Sequence, residues 1–142
     1  MFKGMAFTTI DRTPVKPMSA LVPLPDTVMT EMSKEEFVIA LNYNPGALVI
    51  KFGAEWCGPC KRIDPMVYEW MSRLPPTIQG AVIDIDDNFE IYALLKSKRI
   101  VNGVPVILCY KKGNLTPVPD HIVVGADENQ IRQFFDVCMK YA

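Results

Sequence analysis

One histidine, His121, is present among 142 residues. A single imidazole rules against His–His catalytic pairs, histidine-rich metal sites and most hydrolase triads. No sign of charge dominates either: 15 basic and 16 acidic side chains leave a net charge of −1. That balance argues against a nucleic-acid binder driven by a broad basic field. No run reaches the roughly 18 uncharged apolar residues that a membrane-spanning helix needs. The first twelve residues, Met1 to Arg12, hold no apolar stretch of signal-peptide length.

What is present is the material of one ordinary domain. Apolar residues make up 49% and charged residues 22%, enough for a core and too apolar for global disorder. Residues 1–26 carry four of the twelve prolines and no periodicity, so they read as an N-terminal extension. Residues 27–142 read as the folded domain. Lys3, Arg12 and Lys16 against the single acid Asp11 weakly resemble a transit peptide, which makes organellar targeting a second reading behind a reducing, cytoplasmic location.

Periodicity orders the elements. Thr27–Met32 reads as a short strand, and Ser33-Lys-Glu-Glu36 as a capping box opening a helix with Phe37, Ala40 and Leu41 inward. Asn44-Pro45-Gly46 stops that helix. Ala47–Phe52 is a nearly continuous apolar run, the pattern of a buried central strand. Ile63, Met66, Val67, Trp70 and Leu74 recur at helical spacing through Pro65, which should kink the helix. Ala81–Ile85 is the next strand, and Asp87 or Asn88 caps a helix bearing Ile91, Leu94 and Leu95. Val104–Tyr110 pairs with Ile122–Val124 as a hairpin. Asp127, with Gln130 three residues on, caps a last helix with Ile131, Phe134, Phe135 and Cys138 inward. The order β-α-β-α-β-α-β-β-α predicts an α/β fold, a mixed central sheet flanked by helices on both faces.

The strongest chemical signal is Cys57-Gly58-Pro59-Cys60. Two sulfurs at this spacing can close a small disulfide ring and reopen it. Pro59 suits the first turn of a helix, where its missing N–H costs little. Cys57 then falls at the helix start, where unpaired N–H groups and the helix dipole favour a thiolate, the attacking species in disulfide exchange. Cys60, one turn inside, can resolve a mixed disulfide. A static bridge and a zinc site are the competing readings. Zinc needs four ligands, and Cys109, Cys138 and His121 form no second pair, so no metal is expected. Cys109 on a buried strand and Cys138 on a buried helix face read as packing thiols. His121, before a strand, reads as a surface residue.

Ala54-Glu55-Trp56-Cys57-Gly58-Pro59-Cys60-Lys61 resembles the active-site signature of the thioredoxin family, the reference case for Cys-x-x-Cys redox sites. Pro65 matches that family's helix proline, Gly103-Val104-Pro105 its cis-proline loop, and Val124-Gly125-Ala126 its glycine segment beside the substrate groove. Four motifs in the family's order span about residues 27–142. The resemblance implies a thioredoxin fold and a thiol–disulfide oxidoreductase acting as a protein-disulfide reductase. It implies Cys57 as nucleophile and Cys60 as resolving thiol. It places Trp56, Gly58, Pro59, Val104, Pro105 and Gly125 on the substrate-binding surface, where the backbone around Pro105 could pair with an extended peptide. It further implies disulfide-containing client proteins, a flavoprotein reductase or other dithiol as electron donor, a monomeric state and no bound cofactor.

Three positions depart from the family. Its buried aspartate in the strand before the motif is Lys51 here, the lysine that often accompanies that aspartate is Val82, and a usual tryptophan is Gly53. Strand alternation suggests that Lys51 pairs with Asp84, reversing the charges. Lys51 is then a third candidate catalytic residue. Neutral Lys51 could accept the Cys60 proton, or charged Lys51 could stabilise a thiolate. The stretch Ile50-Lys51-Phe52-Gly53 also resembles spliceosomal scaffold proteins of thioredoxin fold. They act through partner contacts instead of dithiol exchange, and this is the alternative reading.

Overall fold

Ser33 opens the first helix through the expected reciprocal pair. Its hydroxyl accepts from the Glu36 amide at 3.0 Å, and Glu36 Oε1 accepts from the Ser33 amide at 2.8 Å. This helix, α1 (Lys34–Asn42), is the first regular element of the computed structural model, which describes residues 22–142. The expected extension lies outside the described residues up to position 21. After α1 come β1 (Ala47–Gly53), α2 (Gly58–Ser72), β2 (Ile78–Asp84), α3 (Phe89–Ser97), β3 (Val106–Lys111), β4 (His121–Val124) and α4 (Glu128–Met139).

The sheet order is β2-β1-β3-β4. β2 runs parallel to β1, β3 antiparallel to β1, and β4 antiparallel to β3. β1 is buried along its whole length, so both its faces need cover. Period-two alternation divides it. Leu48, Ile50 and Phe52 join one core cluster with Phe37 and Leu41 of α1 and Ile91 and Leu95 of α3. Ala47 and Val49 join the other, with Ile63 and Val67 of α2 and Ile131 and Phe135 of α4. Lys51 and Gly53 follow Val49 in this alternation, so they face the α2 side.

The fold class is as read from the sequence, with one strand fewer. Residues 27–32 contribute a single parallel bridge, Met29 beside Ala81. The Met29 amide donates to the Gly80 carbonyl at 3.0 Å, and its carbonyl accepts from Val82 at 2.8 Å. On one side a turn closes at once, with the Val28 amide on the Pro25 carbonyl. On the other, the Met32 amide is taken by Asn88 Oδ1 at 3.0 Å. That use explains why Asn88, at the start of α3, makes no side-chain cap bond to its own helix. The third strand begins at Val106 instead of Val104, since Pro105 has no N–H to give a ladder. α2 ends at Ser72, before Leu74, and passes through Pro65. Asp127 caps α4 by accepting from the Gln130 amide at 3.0 Å.

Asn44 shows how the turn before β1 is secured. It is a buried polar side chain. Its Nδ2 donates to the Tyr110 carbonyl at 2.9 Å, and its Oδ1 accepts from the Gly46 amide at 3.0 Å. Asn44→Ala leaves both backbone groups unpaired in the interior. It is expected to lower stability by about 2 kcal/mol, read as a lower denaturant midpoint at unchanged slope.

Candidate active site

The site forms where β1 ends and α2 begins. Gly53 closes the strand, Ala54-Glu55-Trp56 turns the chain, and Cys57 takes the position just before the helix with extended backbone (φ −91°, ψ 105°). Its Sγ accepts from the Cys60 amide at 3.1 Å. Gly58 and Pro59 are the first two helical residues, so the missing N–H of Pro59 falls among donors that have no helical partner anyway. Cys57 and Cys60 are joined as a disulfide with Cα atoms 5.3 Å apart. Cys57 is 4% exposed and Cys60 1%. In the reduced protein, the positive end of the α2 dipole and the inward-turned amide both favour a Cys57 thiolate.

The residues singled out from the sequence surround this pair. Cys57 Sγ lies 3.8 Å from the Val104 carbonyl oxygen, within reach of a reduced thiol as donor. The Val104–Pro105 peptide is cis. The Gly125 amide donates to the Pro105 carbonyl at 2.9 Å, tying the β4 end to the proline loop. The loop is also held from below, where the Gly103 amide donates to the Tyr92 hydroxyl at 2.7 Å. Trp56 is 68% exposed, and its Nε1 donates to Asp86 Oδ2 at 2.9 Å. Val104, Ile85 and Ala54 pack against the two sulfurs. The Gly125, Pro105 and Val104 backbone therefore stands beside Cys57, with Trp56 exposed in the turn before it.

Lys51 corrects the expected pairing. In the β1–β2 register it stands beside Val82, while Asp84 stands beside Gly53. The Asp84 carboxylate turns to its own loop, accepting from the Asp86 amide at 2.8 Å. Lys51, 4% exposed, reaches across to α2 instead, and its Nζ pairs with Asp64 Oδ1 at 2.8 Å. Asp64 is four residues after Cys60, so both lie on one helix face. That i,i+4 spacing was the available sequence signal for Asp64. Asp86, the partner of Trp56, comes from a loop distant in sequence and carried no local signal.

Cys109 and Cys138 are free and fully buried in the cluster between the sheet and the α2/α4 side. A hydrogen bond with Cys109, and then burial, push the Cys138 thiol up, so it stays protonated. His121 is half-buried, its ring stacked on Tyr141 and its Nε2 in contact with the Tyr141 hydroxyl, not a free surface residue. Among the described residues, no helix is long and apolar enough to cross a membrane.

A closed, helix-capping dithiol beside a cis-proline loop defines a protein of thiol–disulfide exchange. Comparison with known proteins agrees. The thioredoxin family model matches residues 28–137. Thioredoxin 1 of Plasmodium falciparum is 30% identical over 110 residues, covering 78% of this chain and 93% of that one. The mitochondrial thioredoxin of Mus musculus is 33% identical over 87 residues, covering 61% of this chain and 48% of that one, so this match reaches only about half of the mouse protein. A solved structure of Plasmodium falciparum thioredoxin superposes with a TM-score of 0.62 at 30% identity, covering 81% of this chain and all of that one. The chain belongs to the thioredoxin family. Within that family its paired cysteines make it a thiol–disulfide oxidoreductase.

All four cysteines are buried, so it is the place of Cys57 at the start of α2 that sets an order of reactivity among the four thiols. In the reduced native protein, iodoacetamide is expected to modify Cys57 first and alone. Cys60, Cys109 and Cys138 should react only after unfolding, as read by mass spectrometry of the digested protein.

Proposed function

We infer that this chain reduces disulfides in other proteins. The observation that carries the reading is the placement of Cys57. Its sulfur caps α2, meets the Cys60 amide at 3.1 Å and faces the Val104 carbonyl at 3.8 Å. A thiolate there can attack a client disulfide in line with a backbone edge that an extended peptide can join. Cys57 forms a mixed disulfide with one client sulfur, and the other client sulfur leaves. Cys60 then attacks Cys57 Sγ, closing the Cys57–Cys60 bond and releasing the second client sulfur. Two electrons pass to the client.

Trp56, Gly58, Pro59, Val104, Pro105 and Gly125 form the client surface in this reading. Apolar groups around it support a protein client: Trp56 and Val124 are exposed large side chains. The oxidised pair is recharged by a flavoprotein reductase or by another low-potential dithiol. Two buried free thiols accord with a reducing compartment. No bound metal or organic cofactor enters the exchange, and the working unit is the monomer.

The test combines activity with capture. The wild-type chain should reduce insulin disulfides in the presence of a dithiol donor, and Cys57→Ser should abolish that activity. Cys60→Ser should hold client proteins as mixed disulfides through Cys57, released by added dithiol. Absence of insulin reduction by the wild type would overturn the reading. Undiminished client binding by the double variant Cys57→Ser/Cys60→Ser would favour a scaffold role instead.

A further inference from the structure

Beside Cys60 lies a polar cavity of about 520 Å³, bordered also by Lys51, Gly53 and Asp64. Lys51 is a charged residue in the core of the sheet, in a position where an apolar side chain would pack at no electrostatic cost. Its ammonium is tied to α2 by Asp64. Gly53 decides what else it meets. A Cβ on residue 53 would lie 2.7 Å from Lys51 Nζ and 3.5 Å from Cys60 Sγ. Ammonium and sulfur therefore border the same small space, which residue 53 leaves open by having no side chain. Asp64 takes one of the three donors of the ammonium.

We propose that the Lys51 ammonium, positioned by Asp64 and admitted by Gly53, is the counter-charge for the Cys60 thiolate that resolves the mixed disulfide. The proposal rests on the exchange reading above and deepens it by naming what activates the second sulfur. In the step, the Cys60 thiol loses its proton to solvent through the polar cavity. The thiolate forms beside the ammonium and attacks Cys57 Sγ. The Cys57–client S–S bond breaks, the Cys57–Cys60 bond forms, and the client sulfur leaves with the electron pair and takes a proton from water. Lys51 remains charged throughout. Asp64 is a positioning residue, since it acts on the sulfur only through Lys51.

Other ionisable groups border the same cavity and share in its field. They are Glu31, Glu55, Lys61, Tyr68, Asp84 and Asp87. Lys61 is already engaged by Glu55 at 3.1 Å. Burial first, then the Asp64 and Glu55 carboxylates, push the Tyr68 hydroxyl up, so it stays neutral in the working range. Lys51 is thus the buried cation of this cavity, while Lys61 sits at its exposed rim.

Reaction with dithiobis(nitrobenzoate) separates the two half-steps. Attack by Cys57 releases one coloured thiolate, and resolution by Cys60 releases a second. In the wild type both releases are expected, and in Cys60→Ser only the first. Lys51→Met should leave the first release near the wild-type rate. It should slow the second about tenfold at neutral pH, with the pH midpoint of the second step raised by about one unit. Lys51→Arg, which keeps the charge, should restore most of the rate. Gly53→Ala should shift the second step in the same direction as Lys51→Met, because the new Cβ displaces the ammonium with every charge retained; it also covers the case in which Lys51→Met does not fold. An unchanged pH midpoint of the second step in Lys51→Met and Gly53→Ala would sink the proposal, even if the rate fell. Failure of the first release in the wild type would remove Cys57 as nucleophile, and with it both this proposal and the exchange reading.

Discussion

The whole site depends on one junction: a fully buried strand that ends where a helix begins. β1 cannot shift, because its two faces are packed into separate clusters. The turn that leaves it therefore delivers Cys57 to the start of α2 in a fixed pose, with the Cys60 amide of the first helical turn aimed at its sulfur. A Cys57 thiolate draws on that arrangement, and Cys109 and Cys138, packed elsewhere in the same core, do not receive it. Cys109 and Cys138 make the contrast. They are as buried as the reactive pair, yet they lie against one another away from any helix start, and the hydrogen bond between them keeps Cys138 protonated.

Around that junction the surroundings divide by chemistry. The outer side is backbone and apolar surface, with the Val104 carbonyl facing Cys57 and the proline loop braced by Gly125 and Tyr92. The inner side is charged, with Lys51 and Asp64 paired beside Cys60. Each sulfur thus meets a different environment although three residues separate them. A peptide backbone has edge donors and acceptors to match on the outer side. The inner side holds a charge close to the second sulfur. Two roles for two cysteines follow from this division, which sets the loop before β3 beside Cys57 and the Lys51 end of β1 beside Cys60.

Much of this was legible along the chain. The apolar run Ala47–Phe52, the Ser33–Glu36 box, the Asp127 cap and the Cys-x-x-Cys spacing each rest on local geometry, and each appears where the pattern put it. The shortfall at residues 27–32 had a non-local cause. Met32 spends its amide on Asn88, 56 residues away, and that competition leaves a single bridge in place of a strand. The Lys51–Asp84 expectation failed for a related reason. Alternation correctly set both residues on the same face of the sheet, but the parallel register set Asp84 beside Gly53 and turned its carboxylate to its own loop.

The order of residues by itself determined the four helices and the four strands of the sheet, which side of β1 each side chain takes, and that two sulfurs can join through two intervening residues. These are consequences of backbone period, capping chemistry and ring size, all set within a few neighbours. The tertiary structure decided the partners. Asp64 instead of Asp84 for Lys51, Asp86 for Trp56, and the open space at Gly53 shared by an ammonium and a sulfur all depend on register and on how α2 lies across the sheet. A buried charge takes whichever opposite charge the packing brings within reach, and that distance is settled only when the layers close.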